Sequence, residues 1–120
     1  MDKKTILLKS VKTENIQTPW GGLIWYAGRK LGNTTELTLG KCVIKPGMSN
    51  TLHYHPNCSE MLIVMRGTIM HTTEQGDIRM EAGDAISIAL GFPHKAVNIG
   101  EVDAELFVAF PTADRQVENE

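Results

Sequence analysis

Glycine and proline punctuate this chain so densely that, between Pro19 and Pro111, no uninterrupted stretch exceeds ten residues. An average α-helix would nearly fill such a window, leave little room for caps and ordinarily show an apolar stripe every 3.6 residues. No such stripe is present. The windows carry β-branched and apolar runs instead: Leu23 to Ala27, Thr34 to Ile44, Glu60 to Met65, Thr68 to Thr73, Ala85 to Ala89, Lys95 to Ile99 and Ala104 to Phe110. Turn signals separate them at Lys45-Pro46-Gly47, Arg66-Gly67, Gln75-Gly76-Asp77, Ala82-Gly83-Asp84 and Asn98-Ile99-Gly100. Short strands at this spacing predict an all-β antiparallel sandwich or barrel. The first 18 residues read equally as strand or short helix, and residues 113–120 read as a polar tail.

A chain of 120 residues with 42% hydrophobic content supports one domain, spanning 1–120. The core barrel is expected over about 34–111, with N-terminal strands within 5–27. Lys and Arg total 12 against 14 Asp and Glu, and like charges do not cluster beyond Lys3-Lys4. This excludes a basic nucleic-acid face and gives no reason for an anionic membrane surface. A small molecule or a protein remains as partner. No apolar run reaches the ~20 residues of a membrane span. The run Ile6-Leu7-Leu8 falls short of a secretory signal core, so a cytoplasmic setting is the expectation. Cys42 and Cys58 form neither a disulfide framework nor a Cys-x-x-Cys pair and read as two free thiols.

Two strands are apolar on both faces. Leu62 and Val64 share the face of Glu60, with Met61, Ile63 and Met65 opposite; Leu106, Val108 and Phe110 oppose Phe107 and Ala109. A strand with one wet face would alternate polar and apolar residues. The outer side is therefore expected to be covered by the N-terminal segment or by a second subunit, which predicts a homodimer.

The chemistry-bearing residues cluster. His53 and His55 are one residue apart, which on a strand puts both imidazoles on one face. Glu60 follows after the turn-forming Pro56-Asn57-Cys58-Ser59 and opens an apolar strand, where a carboxylate needs a partner or a metal. His94 follows Leu90-Gly91-Phe92-Pro93. Each has a plainer reading: surface or core imidazoles, a solvated charge at a strand end, a loop histidine.

The pattern Gly47-x5-His53-x-His55-x4-Glu60-x6-Gly67 resembles the first cupin motif at every position, and Gly83-x7-Gly91-x2-His94-x3-Asn98 resembles the second. Ala89 departs from it, standing where the motif usually has a proline that shapes the turn. The motifs cover about half the chain. The resemblance, to small single-domain cupins of the conserved-barrel type, implies a double-stranded β-helix (jelly-roll) barrel. It carries over His53, His55, Glu60 and His94 as ligands of one divalent transition-metal ion per chain. Imidazole and carboxylate donors suit Fe, Mn, Zn, Ni, Co or Cu without choosing among them.

His71 reads as a solvent-facing or core histidine, and Arg66 and Arg79, beside turns, as solvated. Cys58 lies near the ligands, but the motif does not use it. Trp20, Trp25, Tyr26, Phe92, Phe107 and Phe110 read as core or interface residues. By strand parity Thr51, Leu62, Val64 and Ala96 should line the substrate pocket. Four protein ligands on a six-coordinate ion leave two positions for a chelating oxygen ligand, or for substrate and dioxygen together. This favours a metal-dependent enzyme, an oxidoreductase of dioxygenase type acting on a small oxygenated compound. The alternatives are a non-redox isomerase, lyase or decarboxylase, and a metal-dependent module that binds a small acid. No further acid–base residue stands out for the inner face, which gives the binding module weight.

Overall fold

The computed structural model describes residues 4–119. After a single 3₁₀ turn at Ser10–Lys12 the chain is strand and turn throughout. The strands are β1 (Glu14–Thr18), β2 (Gly21–Ala27), β3 (Thr38–Ile44), β4 (His53–Tyr54), β5 (Glu60–Arg66), β6 (Thr68–Thr73), β7 (Gly76–Glu81), β8 (Ala85–Ile88), β9 (His94–Asn98), β10 (Ala104–Phe110) and β11 (Glu118–Asn119). They form two antiparallel sheets, a six-stranded one ordered β1-β2-β3-β10-β5-β8 and a five-stranded one ordered β11-β4-β9-β6-β7. This is the double-stranded β-helix barrel that the resemblance implies. Among the described residues no helix is long and apolar enough to cross a membrane.

Period-two side-chain alternation builds the core. β10 buries Ala104, Leu106, Val108 and Phe110. Its neighbours β3 and β5 bury Cys42, Ile44, Leu62 and Val64 against the same interior. From the other sheet come Ile69, His71 and Met80, with Ala96 and Asn98. Apolar alternation of this kind fixes register, because a slip by one residue would turn the whole set outward.

The strand limits differ from the sequence reading where side chains compete with the ladder. Thr34 to Leu37 is not strand. Asn33 closes a turn there, its Oδ1 accepting from Gly28 N–H at 3.2 Å and its Nδ2 donating to the Tyr26 carbonyl at 2.8 Å. The expected strands of 5–27 begin only at Glu14. β7 was not expected, because five of its six residues are exposed and only Met80 faces the core. Residues 113–119, expected to be a tail, are fastened to the barrel. Asp114 pairs with Arg29 at 2.8 Å, and β11 pairs with β4.

The outer face of β3, β10, β5 and β8 carries an apolar stretch, bordered by the charged Lys41, Glu105 and Arg66, that no described segment covers. Met61 and Met65 are half exposed, and Leu39, Met61, Ile63, Ala85, Phe107 and Ala109 surround a shallow apolar groove. The N-terminal segment does not cover it: Ile6 lies instead beside the 29–36 turn, with Leu7 and Val11 in solvent.

Asn98 locks the end of β9 to two other segments. Its Nδ2 donates to the carbonyls of Ile44 and Val102, both at 2.8 Å, and its Oδ1 accepts from Gly100 N–H at 2.9 Å. The side chain is 1% exposed, so its loss removes three hydrogen bonds and strands the buried Ile44 carbonyl without a partner. Asn98→Ala should therefore lower unfolding free energy by about 2–4 kcal/mol. Urea denaturation will show this as a lower midpoint at unchanged slope.

Candidate metal centre

The four sequence-identified ligands come together at one end of the barrel. His94 opens β9 directly opposite His53 on β4, and Glu60 opens β5 in the facing sheet. His55 follows β4, where its carbonyl accepts the Gly91 N–H at 2.9 Å. Gly91 holds that contact at φ +75°, a backbone conformation that other residues rarely adopt. His55, Glu60 and His94 are buried and His53 is half-buried.

Hydrogen bonds orient all three imidazoles. Nδ1 of His53 lies 2.7 Å from the Thr51 carbonyl, that of His55 2.8 Å from the Gln116 carbonyl, and that of His94 3.0 Å from the Phe92 carbonyl. A carbonyl only accepts, so each Nδ1 carries a proton and Nε2 is the atom each ring has left for a ligand; on His94 that atom donates to the Glu60 carboxylate until a metal replaces its proton. The Nε2 atoms of His55 and His94 both lie 3.1 Å from Glu60 Oε1. For His55 that approach lacks hydrogen-bond geometry, and its Nε2 has no partner. One ligand atom from each of the four residues falls within 4.8 Å of all the others. Electron-rich donors crowded together this way repel unless a cation sits among them. The set can hold a metal ion, and its chemistry, three neutral imidazoles and a carboxylate, suits a divalent transition metal.

Protonation agrees with that role. Burial alone would push the Glu60 carboxyl up, but His55 and His94 outweigh it and hold the group at about 2, fully ionised. Burial lowers His53 to about 4, so that ring is neutral at physiological pH. His94 goes the other way: burial opposes its charged form, yet Glu60 and the Phe92 carbonyl raise it above 6.5. A proton on His94 is therefore the one a metal must displace. Cys58 is buried and outside the ligand group, and burial raises its thiol. Cys42 is raised to about 12 and inert.

A cavity of about 210 Å³ opens beside these ligands. At ~30 Å³ per water it has room for about seven waters, the scale of a small metabolite. Leu62 and Ala96 line it as parity predicts. Thr51 lines it at an exposed rim, its hydroxyl donating to Asn119 Oδ1 at 3.3 Å. Val64 does not line it. It is fully buried farther along β5, where the Gly83-Asp84 turn bonds its N–H and carbonyl and closes that end of the barrel.

Several lining residues escaped the sequence reading. Trp20, Leu23 and Trp25 supply an aromatic wall from the N-terminal hairpin, and Asn50, Arg115, Val117 and Asn119 also face the space. The signal for the last three was the period-two spacing of 115, 117 and 119 within a stretch that looked merely polar. Arg66 and Arg79 lie outside, paired with Glu105 and Glu81.

His71 is a core histidine with an unusual situation. It is 1% exposed, lines the cavity, stacks on His94 at 5.4 Å between ring centroids, and neither ring nitrogen has a partner. Burial lowers it to about 4, so it is a neutral imidazole facing the space. It is the additional titratable inner residue that the sequence did not disclose.

A family profile described as "Cupin domain" matches residues 40–110. The tetracenomycin polyketide synthase protein TcmJ of Streptomyces glaucescens is 32% identical over 78 residues, covering 64% of this chain and 52% of that protein. Oxalate oxidase GF-2.8 of Triticum aestivum is 28% identical over 113 residues, covering 85% of this chain and 50% of that protein. This chain thus spans about half the length of these relatives. Among solved structures, a variant of Bacillus subtilis oxalate decarboxylase superposes with a TM-score of 0.83 at 18% identity, over 91% of this chain and 30% of that one. An oxalate oxidase in complex with the substrate analogue glycolate gives 0.79 at 22% identity, over 95% of this chain and 62% of that one.

Loading with Mn(II) or Zn(II) should displace at least one proton per ion as pH is lowered from about 6.5 to about 5, because His94 is protonated there while His53 and Glu60, at about 4 and about 2, are largely deprotonated. Apparent affinity should fall at least tenfold per pH unit over that range. His94→Ala should lose most bound metal by elemental analysis, and His71→Ala should keep it. Full occupancy in the His94 variant would remove that residue from the ligand set.

Proposed function

The chain belongs to the cupin family, and on that premise we propose that it is a metal-dependent enzyme, an oxidoreductase of dioxygenase type acting on a small oxygenated organic compound. The observation that carries this reading is the convergence of three imidazoles and the Glu60 carboxylate, one ligand atom of each within 4.8 Å of all the others, beside a cavity of metabolite size. One divalent ion per chain, held by His53, His55, Glu60 and His94, would polarise a chelating oxygen and, if iron or manganese, exchange electrons with dioxygen.

The chain's own residues supply the rest. Glu60 stays ionised and offsets one charge of the ion. The carbonyls of Thr51, Gln116 and Phe92 hold the imidazoles in register. Trp20, Trp25, Leu62, Leu106 and Val108 make the walls largely apolar. Water there has few partners besides the ion, so a chelating ligand displaces it favourably. His71, neutral and unpartnered, is the side chain able to exchange a proton with a bound ligand. That weighs against a module that only binds. The likeness to oxalate oxidase over most of the chain supports a small acid as the ligand.

Calorimetry with oxalate on metal-loaded and metal-free protein tests the centre. Binding should vanish on metal removal and persist in Arg66→Ala and Arg79→Ala, whose side chains lie outside. Equal binding to both forms would mean that side chains hold the acid and the ion is not the functional centre. Metal analysis of protein purified without added ions separates the chemistries: iron or manganese supports redox turnover, and zinc moves the reading to a non-redox lyase or decarboxylase.

The reading includes a cytoplasmic setting, in which both buried thiols stay reduced, and a homodimer. The open apolar face of β3, β10, β5 and β8 is the surface a second copy would cover. Sedimentation at micromolar concentration should give twice the chain mass, and Met61→Lys should shift it to the monomer. A wild-type monomer would refute the pairing.

A further inference from the structure

The C-terminal segment brings a cation into the cavity that the metal centre does not explain. Arg115 follows the last barrel strand, and its guanidinium carbon lies 4.4 Å above the Trp25 ring and 5.4 Å from that of Phe110. Stacking of this kind fixes the plane of the group while leaving its N–H edge free. Gly40 makes room for the arrangement, since a Cβ there would sit 2.3 Å from the Trp25 ring. Arg115 is half-buried, lines the cavity, and makes no hydrogen bond or ion pair among the described residues. The nearby acids are engaged elsewhere: Glu14 with Lys30, Asp114 with Arg29, and Glu60 among the imidazoles. A guanidinium whose plane is fixed by stacking and whose donors have no protein partner among the described residues is well placed to take an anion.

Charge counting points to the ligand. A divalent ion against Glu60 leaves one positive charge, and Arg115 adds a second. Apart from Glu60 and the imidazoles, the other lining side chains are apolar, hydroxyl, thiol or amide and carry no formal charge. A chelating monocarboxylate balances only the first charge.

We infer that Arg115 binds a second carboxylate of the ligand, and that the site takes a dianionic 2-oxo dicarboxylic acid whose far carboxylate lies outside the chelate ring. The inference rests on the proposed metal centre for the chelating end alone. Arg115 is thereby a specificity-determining residue, acting on the end of the ligand remote from the ion.

The probes are 2-oxoglutarate and 2-oxopentanoate, of equal chain length and differing in the far carboxylate. Their affinities are measured by calorimetry on Mn(II)-loaded protein whose metal content is determined in the same sample. Wild type should bind 2-oxoglutarate about 10- to 100-fold more tightly than 2-oxopentanoate, the range of a charge-assisted bidentate pair. Arg115→Gln should abolish that preference and leave 2-oxopentanoate affinity and metal content within twofold. Were Arg115 only a fastener of the C-terminal segment, both ligands and the metal would weaken together, which would overturn the assignment. Equal wild-type affinities would overturn it too, with no variant required. Wild-type protein that takes up no Mn(II) refutes the proposed centre, whereas loss of both ligands when bound metal is removed upholds it. Retention of 2-oxoglutarate by metal-free wild type, lost in Arg115→Gln, refutes the centre and upholds Arg115.

Discussion

Three backbone carbonyls hold the open end of this barrel in its working form. Thr51, Gln116 and Phe92 each accept the Nδ1–H of one histidine, and so turn three Nε2 atoms toward one carboxylate. Backbone acceptors are well suited to this, since they move only with the strands that carry them. The precision of the donor set is thereby the precision of the sheet. The antiparallel register that sets His53 opposite His94 also sets Ala96 opposite His71, so ligands and cavity wall derive from the same pairings. Burying Glu60 at the head of an apolar strand would be costly in isolation, and the imidazoles around it make the site stable only when positive charge, as protons or an ion, is present.

The centre sits where the two sheets face each other, and this explains the contrast between barrel ends. At the far end Val64, Ile69 and Ala104 are wholly buried, and the Gly83-Asp84 turn satisfies the backbone of Val64. At the near end, β4 has only two residues and the connecting segments are irregular. Short, interrupted strands cannot close a barrel, and the gap they leave is the cavity. Its chemistry then comes from whatever lies beside the gap: Trp20, Leu23 and Trp25 from the N-terminal hairpin, Arg115 to Asn119 from the other terminus.

Much of this was legible in the sequence, and the illegible parts share a cause. Thr68 to Thr73 and Ala104 to Phe110 read correctly to the residue, because both are bounded by glycine or an abrupt change in polarity. The four candidate ligands were legible because their spacing reflects a local requirement: two residues on one strand face, a turn, and a strand head. β7 was hidden by its mostly exposed residues, and β11 and the placements of His71 and Arg115 were hidden because each depends on a partner distant in the chain. His71 looks like any strand histidine until Ala96 and His94 are set beside it across β6 and β9. Arg115 looks like tail until Trp25, ninety residues earlier, offers it a ring. Val64 failed in the opposite sense. Parity assigned its face correctly, but parity carries no depth, and Val64 lies past the cavity floor.

The C-terminal segment links these pieces mechanically. Asn57, in the loop between His55 and Glu60, accepts the Gln116 N–H at 3.0 Å and donates to the Asp114 carbonyl at 2.8 Å. Those two bonds bracket Arg115 and set the Gln116 carbonyl that orients His55. Three residues on, Asn119 pairs with His53 across β11 and β4. One seven-residue stretch therefore orients one imidazole, flanks a second and carries Arg115, which has no hydrogen-bond or ion-pair partner among the described residues. Beyond the buried Ala113 its attachment depends on the short β11–β4 pairing, single hydrogen bonds, the Arg115 stack and one exposed ion pair, Arg29 with Asp114, rather than on core burial. Such contacts are worth little individually, so this stretch is among the least firmly held parts of the fold. A ligand spanning the ion and Arg115 would cross-link the segment to the barrel through its own two charged ends. Ordering of the segment and occupancy of the site would then favour each other, with no moving part beyond the segment itself.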